Sequence, residues 1–207
     1  EIEHGGAATL EAGGSQALRH DAAGVQVLAF GRMHLTDAAL ATIAREQGLG
    51  AALAEGWRRH GAGLPEQVSG EYLLAVWCAA ERRGLVAVDR YTTFSLFFGQ
   101  RNGRLAFATS PRRVCALLEM PAELDSRAIH AFVHFHNIPA PMSIYRDVRR
   151  LDVAEGVFVA DGKATQRRHW TPVFVEDQPF DFGREKAAFM AALRQGVAQS
   201  IGLPYEC

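Results

Sequence analysis

An adjacent acid and base, Asp89 and Arg90, interrupt the apolar stretch GLVAVDRYTTFSLFFGQ, which runs from Gly84 to Gln100. Charged side chains in a buried strand are unfavourable unless they are paired or hydrogen-bonded. The two residues therefore belong either to an active site or to a structural pair. The elements around them must decide between these two interpretations.

The three cysteines, Cys78, Cys115 and Cys207, are the candidate nucleophiles. Cys78 lies inside an apolar run, where a small buried side chain is the favoured interpretation. An odd and sparse set of cysteines indicates a reducing compartment and not a disulfide framework. We therefore predict a cytoplasmic protein in which no cysteine of this chain is catalytic.

Metal-ligating residue types give only a weak signal. His134 and His136, in the stretch HFHN, could approach one metal ion from one face of a strand. No Cys-x-x-Cys occurs, so a structural zinc site is not expected. The sequence predicts no metal site.

The composition of the 207 residues is ordinary for a globular protein, with 48% hydrophobic and 22% charged residues and a net charge of −1. Such a balance gives no general attraction to nucleic acid or to an anionic membrane. The small basic cluster Arg149, Arg150, Arg167 and Arg168 is typical of a solvated surface. No apolar run reaches the roughly 18 residues that span a bilayer. We therefore expect neither nucleic acid nor a membrane as a partner.

Helices and strands occur in separate runs. The predicted helices are 36–48 with Thr36 or Asp37 as N-cap, 51–61, 110–120 with Ser110 as N-cap, 125–135 with Asp125 as N-cap, and 184–201. The predicted strands are 24–30, a meander of four consecutive strands between 70 and 110 that turns at Asn102-Gly103, and a hairpin that turns at 161–163. This segregation indicates an α+β fold.

The order of the motifs resembles the N-terminal glutaminase domain of asparagine synthetases over roughly residues 25–200. That family reads, in outline, Gly-x-Phe-Ala-Phe-x-x-Trp-Asp, then Asp-Arg-x-Gly-x-Lys-Pro-Leu-Tyr-Tyr, then Phe-Ala-Ser-Glu-x-Lys-Ala-Leu. The matching positions here are Gly70, Trp77, Asp89, Arg90, Leu96, Phe97, Phe98, Phe107, Ala108, Ser110, Ala116, Leu117 and Leu118.

The resemblance implies a fold and a domain plan. It implies the Ntn-hydrolase sandwich, a four-layer αββα arrangement of two antiparallel sheets. Residues 1–175 would form the glutaminase-like domain, and residues 176–207 a linker and the first helix leading to a synthetase domain. That synthetase domain would be the principal partner and would bind ATP and magnesium, whereas this domain would bind no cofactor. A homodimer is left open.

The residues that the family uses for glutamine hydrolysis depart from its pattern at three places. The chain starts with Glu1, where the family has a cysteine whose thiolate attacks the amide. In FGRMHL, Phe30, Gly31 and Arg32 stand where the family has Asn-Gly-Glu, so the asparagine of the oxyanion hole is missing. The stretch GLGAALAE lacks the aspartate that holds the α-amino group of the substrate. Phe30, Gly31 and Arg32 would then form a degenerate glutamine pocket.

The resemblance therefore implies a non-catalytic domain, as in β-lactam synthetases and lasso-peptide cyclases. The parent enzyme would activate a carboxylate by adenylation and form an amide bond. Two alternatives remain: an active glutamine-hydrolysing amidotransferase whose N-terminal cysteine is missing from this sequence, and a free-standing binding or assembly domain. Asp89 and Arg90 fall on the Asp-Arg at the end of a core strand of the family, which favours a structural pair.

Overall fold

The structure is a computed structural model that describes residues 17–174 and 180–201. The chain divides into two compact units, Glu1–Thr171 and Pro172–Cys207. The start of the chain and Cys207 lie outside the described residues. The predicted domain boundary between residues 175 and 176 stays a prediction.

The described residues of the first unit form nine strands, a 3-10 helix and four α-helices. Its strands are β1 (Ala17–Ala22), β2 (Val25–Leu35), β3 (Val68–Cys78), β4 (Arg83–Val88), β5 (Phe97–Arg101), β6 (Arg104–Ala108), β7 (Arg149–Arg150), β8 (Glu155–Ala160) and β9 (Lys163–Arg168). Its helices are α1 (Ala38–Gln47), α2 (Leu49–His60), α3 (Pro111–Leu117) and α4 (Ser126–Phe135), with a 3-10 helix at Gly61–Gln67.

The strands form two antiparallel sheets. The larger sheet has the order β1-β2-β3-β4-β8-β9 and the smaller sheet the order β6-β5-β7. The predicted meander of four consecutive strands is therefore wrong, because the chain leaves the larger sheet after β4 and enters the smaller sheet at β5. The partners that decide this, β8 and β7, lie about 50 to 70 residues further along the chain and are invisible to a local pattern.

Alternate residues of β3 point to opposite faces of the larger sheet, as strand geometry requires. Leu74 and Val76 pack with Leu53 and Trp57 of α2 in one apolar cluster. Ala75 and Trp77, which point to the other face, belong to a second cluster that contains residues of both sheets. The burial of both faces shows that this sheet is a middle layer of the fold.

The second cluster joins the two sheets. Val86 and Val157 of the larger sheet meet Leu96, Leu105 and Leu151, which belong to or flank the smaller sheet.

A third cluster packs the other face of the smaller sheet, through Ala106, against Val114 and Cys115 of α3. The layers therefore run helix, sheet, sheet, helix. This arrangement confirms the predicted α+β sandwich of two antiparallel sheets.

Two helix starts follow the predicted capping chemistry, whereas Ser110 precedes α3 as predicted but makes no side-chain hydrogen bond to the helix. The Asp37 carboxylate accepts from the backbone N–H of Ala39 and Leu40, at 2.8 and 3.1 Å. The Asp125 carboxylate accepts from the N–H of Arg127 at 2.9 Å. Such bonds satisfy donors that the first turn of a helix leaves unpaired. Both predicted aspartate caps are confirmed.

Two strands were not expected. β1 lies in the Gly- and Ala-rich beginning of the chain and pairs along β2, with Ala17 opposite Phe30. β7 consists of Arg149 and Arg150 alone and pairs with Phe98 and Phe97. Neither segment has the β-branched, alternating pattern that marks a strand in a sequence.

In the second unit, the described residues contain α5 (Phe182–Ile201), which confirms the predicted helix. Three of its apolar side chains, Phe189, Leu193 and Val197, are exposed. Across both units, no described helix is long and apolar enough to cross a bilayer.

Candidate functional site

The three predicted pocket residues lie next to one another on β2, which has neighbours on both sides. Phe30 stands opposite Ala17 of β1 and Leu73 of β3, Gly31 opposite Tyr72, and Arg32 opposite Glu71. The structure thus places the sequence-predicted segment in the larger sheet, where β1 begins.

Phe30 makes an aromatic contact with Phe94, which lies in the loop between β4 and β5. The two ring centroids are 4.9 Å apart, with an angle of 74° between the ring planes. This edge-to-face geometry is favourable for aromatic pairs. Phe94 was not predicted as part of the site, because nothing in the local sequence links it to a residue 64 positions earlier.

Gly31 lies where three parts of the chain converge. Its φ is +95°, a region that favours glycine. A Cβ on Gly31 would lie 2.1 Å from the carbonyl oxygen of Glu71 and 3.0 Å from Cε2 of Phe94. Only a residue without a side chain fits there, so the backbones of β2 and β3 and the ring of Phe94 leave no free space on that side of Gly31.

Arg32 forms an ion pair with its cross-strand neighbour Glu71. Its Nη2 donates to Oε2 of Glu71 at 2.9 Å, and the two side chains are 35% and 47% exposed. Ion pairs of this exposure contribute about 1 kcal/mol or less.

Asp89 lies at the start of the loop that carries Phe94, and it is fully buried. Its carboxylate accepts from the N–H of Tyr72, Tyr91 and Thr93, at 3.3, 2.8 and 3.0 Å, and from Thr93 Oγ1 at 3.2 Å. A buried carboxylate needs such donors to replace water. Asp89 therefore fixes the first turn of the loop and ties it to β3.

Arg90 has a different set of contacts from Asp89. Its guanidinium carbon lies 5.4 Å from the ring centroid of Trp170, and the Tyr91 ring packs against the same Trp170 at 5.8 Å. Within residues 17–174 no ion pair joins Asp89 to Arg90. Each residue thus binds its own part of the structure, and a structural role for the pair stays a prediction.

His169 lies next to this corner of the fold. Its Nε2 is 2.9 Å from the carbonyl oxygen of Val88, which can only accept. Burial lowers the pKa of His169 below its ordinary value, and the bond to Val88 acts in the opposite direction. A cavity of about 10 Å³ beside it, bordered by Arg167 and Phe158, has room for about one water molecule.

The basic cluster is paired at several points. Arg167 donates to Glu66 at 2.7 Å and to the carbonyl of Ala62, and Arg168 donates to Asp152 at 2.8 Å. Arg149 lies over the ring of Phe98. These arginines of the predicted solvated surface therefore also link separate segments of the chain.

The two cysteines that the structure describes are buried and free. Cys78 is 6% and Cys115 3% exposed. Cys78 stands opposite Val25 and Phe30 opposite Leu73, so five residue pairs, about 17 Å, separate the thiol from the predicted pocket. Burial raises the pKa of Cys115. A raised pKa disfavours the reactive thiolate.

The histidines are placed differently from the sequence prediction. His134 lies in α4 and His136 ends that helix in the left-handed region, so the two do not share one face of a strand. Among the described residues no group of three or more His, Cys, Asp or Glu could hold a metal ion. The sequence prediction that no His-x-x-x-His spacing occurs is wrong, because His130 and His134 are four residues apart and their rings lie side by side on α4.

These observations define a class of protein: an α+β sandwich with two helix-covered antiparallel sheets and a β2 segment closed by aromatic packing. Residues 45–170, well over half of the chain, match the family described as "Glutamine amidotransferase domain". The chain belongs to that family. The matched region begins after Phe30, Gly31 and Arg32.

Curated relatives include proteins called putative asparagine synthetase [glutamine-hydrolyzing] from Mycobacterium bovis and Mycobacterium tuberculosis. Each is 27% identical over 108 residues, which cover 51% of this chain and 17% of the relative. The match thus spans about a sixth of the length of these relatives.

Similar solved structures include the glutamine phosphoribosylpyrophosphate amidotransferase from B. subtilis, with a TM-score of 0.44 and 14% identity. A second, described as the allosteric regulatory enzyme of purine biosynthesis, has a TM-score of 0.45 and 14% identity. Each match covers 76% of this chain and 32% of the other chain. The two antiparallel sheets and the three apolar clusters between the layers define the fold of this chain.

Proposed function

We propose that this chain is a glutaminase-like domain that does not hydrolyse glutamine and serves as a scaffold within an asparagine-synthetase-like, ATP-dependent amide-forming enzyme. The observation that carries the proposal is the contact of Phe30 with Phe94 over Gly31. It places two apolar rings at the segment that resembles the oxyanion hole of the family.

Amide hydrolysis through a tetrahedral intermediate needs polar donors aimed at the developing negative charge. The side chain of Phe30 has no donor, and the neighbouring charged group, Arg32, is held by Glu71. The Phe94 ring fills the space beside Gly31, with Cε2 3.0 Å from the position that a Cβ would take. These contacts support the loss of an oxyanion site.

The third departure from the family also has a structural counterpart. The stretch that lacks the substrate-binding aspartate begins α2, where Ala52, Leu53 and Ala54 are buried. The acidic residue of this stretch is Glu55, and its carboxylate accepts from Nε of Arg58 at 2.9 Å and from Nε of Arg59 at 2.7 Å. Those bonds lower the pKa of Glu55, which leaves the carboxylate charged and already paired. This pairing supports the absence of a partner for a substrate ammonium group.

The remaining activity would belong to a synthetase domain. In the proposed enzyme that domain binds ATP and magnesium, adenylates a carboxylate and transfers the acyl group to an amine. The segment 137–151, which ends in β7, would pack against it, and this domain would hold no cofactor of its own. The length of the asparagine synthetase relatives, of which the match covers 17%, supports a multidomain parent.

The test is a glutaminase assay on the purified protein, with ammonia release followed at saturating glutamine. We expect a rate at the level of a buffer blank. The matched variant carries Phe30→Asn and Phe94→Ala, which places an amide at the segment and removes the ring beside it, and it is also expected to stay at the blank. Ammonia release well above the blank would overturn the proposal.

A second candidate function is an active amidotransferase, favoured by the family match itself. Intact-mass measurement of the protein isolated from its source separates the two. A mature chain that begins with cysteine, together with glutamine-dependent ammonia release, would establish the second candidate.

A further inference from the structure

Two histidines on α4 are placed as a chelating pair. His130 and His134 are exposed and one helical turn apart, so they lie on the same side of the helix. Their ring centroids are 4.1 Å apart, with 38° between the ring planes. The two imidazoles therefore already stand side by side.

A backbone contact sets the tautomer of one ring. Nδ1 of His134 lies 3.1 Å from the carbonyl oxygen of His130. A carbonyl oxygen can only accept, so Nδ1 donates, and in the neutral ring the lone pair is then on Nε2. Metal-ligating histidines are commonly held in this way, with the second ring nitrogen donating to a carbonyl or carboxylate.

We propose that His130 and His134 form a two-residue chelating site for a divalent transition-metal ion. Two imidazole nitrogens, each about 2.0–2.1 Å from a zinc ion, are on the order of 3.4 Å apart in tetrahedral geometry. The ring centroids are 4.1 Å apart, so the two side chains must rotate apart before both nitrogens point at one ion, and their exposure leaves room for that rotation. Paired histidines at this helical spacing bind zinc in other proteins, and imidazole also suits copper and nickel.

The surroundings of the pair favour a cation. His134 lies in the last turn of α4, where the unpaired carbonyl groups give the helix a partial negative charge. The nearest cation before the pair in the helix, Arg127, is bound by Asp125 at 2.8 Å. Because the described residues offer no third ligand group, water completes the coordination and the ion exchanges readily. The site is independent of the function proposed above.

The test is isothermal titration calorimetry, in which zinc chloride is titrated into the untagged chain. Copper chloride and nickel chloride serve as further probes. We expect one zinc ion per chain and a tighter affinity for copper than for either other metal. His130→Ala and His134→Ala should each weaken zinc binding at least about tenfold, because one ligand of a chelate is lost.

The control variant is His136→Asn, which removes an exposed imidazole from the end of the same helix, keeps a residue that accepts the left-handed conformation there, and should change the affinity less than about twofold. Alanine favours helix, so circular dichroism should show an intact fold in the first two variants. Equal losses in all three variants would overturn the proposal. The proposal would also be overturned if no zinc bound at a concentration of about 1 mM, since a site with a Kd at or below that value would then be at least half occupied.

Discussion

Phe94 packs edge to face against Phe30, with 4.9 Å between the ring centroids, and so joins the loop after β4 to the middle of β2. The loop is held in turn by the buried carboxylate of Asp89. The acidic residue that first suggested an active site thus positions an apolar ring against Phe30 and Gly31, the predicted degenerate pocket. Asp89 thus connects the charged pair at residues 89–90 with the predicted pocket at residues 30–32, which are far apart in the sequence.

Phe94→Ala should lower the free energy of unfolding by about 1–2 kcal/mol, because apolar burial and an aromatic contact are lost. In a double-mutant cycle with Phe30→Ala, the coupling should be about 0.5–1.5 kcal/mol. Chemical denaturation measures both values. The control is Phe135→Ala, since Phe135 is 72% exposed and its loss should change stability by less than about 0.5 kcal/mol. Additive effects in the cycle would contradict the contact.

Gly31→Ala should be more damaging than Gly48→Ala, although the two glycines have nearly the same φ, +95° and +93°. A Cβ on Gly48 would meet nothing within 4 Å, so that variant costs only the conformational strain, about 1–2 kcal/mol. Gly31→Ala adds a clash with the carbonyl of Glu71, worth about 1–3 kcal/mol more. Thermal and urea unfolding of both variants would show the difference, and equal losses would refute it.

Asp89→Ala should destabilise the fold by at least about 3 kcal/mol, because four donors, among them the buried N–H of Tyr72, lose a charged acceptor at once. Asp89→Asn keeps one acceptor oxygen and should lose less. Asp21→Ala is the control: Asp21 is exposed, accepts one bond from Gln26, and should cost less than about 0.5 kcal/mol. If Asp89→Ala and Asp21→Ala had the same unfolding midpoint, the role assigned to Asp89 would be wrong.

Asp125 should make stability depend on pH in the acid range. Its bonds to the Arg127 side chain and backbone lower its pKa from the ordinary 3.8 to about 2. A lowered native pKa stabilises the fold above the unfolded value, and this contribution is lost as the pH falls from about 4 towards 2. Asp125→Asn keeps a capping oxygen without the charge, so its stability should fall less over that range.

Arg127→Gln removes the largest cause of the shift and should give an intermediate pH dependence. Denaturant midpoints at several pH values between 5 and 2.5 measure the slopes. Identical slopes for Asp125→Asn and the unmodified protein would contradict the assignment.

Local chemistry made much of the fold predictable. Asp37 and Asp125 were predicted as helix caps from their position before apolar periodic runs, and the turns at Asn102-Gly103 and Asp161-Gly162 follow from residues that accept a positive φ. The membership of β4 and β5 in different sheets could not be predicted. Both are short apolar runs, and only pairing with distant strands distinguishes them.

The site was predictable to a smaller extent. The resemblance located Phe30, Gly31 and Arg32, but no local pattern indicated that Phe94 or Glu71 would contact them. Such contacts depend on the strand register and on the path of the loop after Asp89. His130 and His134 could have been found from their spacing alone, because the helix around them was predicted.

The late partner of β4 has a consequence for the order in which the protein acquires structure during synthesis. β4 pairs with β3 along one edge and with β8 along the other, as at Leu85 and Phe158. The second edge therefore has no partner strand until the ribosome has released more than 70 further residues. An unpaired apolar edge is prone to pair with other chains. A nascent chain arrested before Glu155 would therefore expose the edge of β4, and chaperone binding is expected to be strongest in that interval.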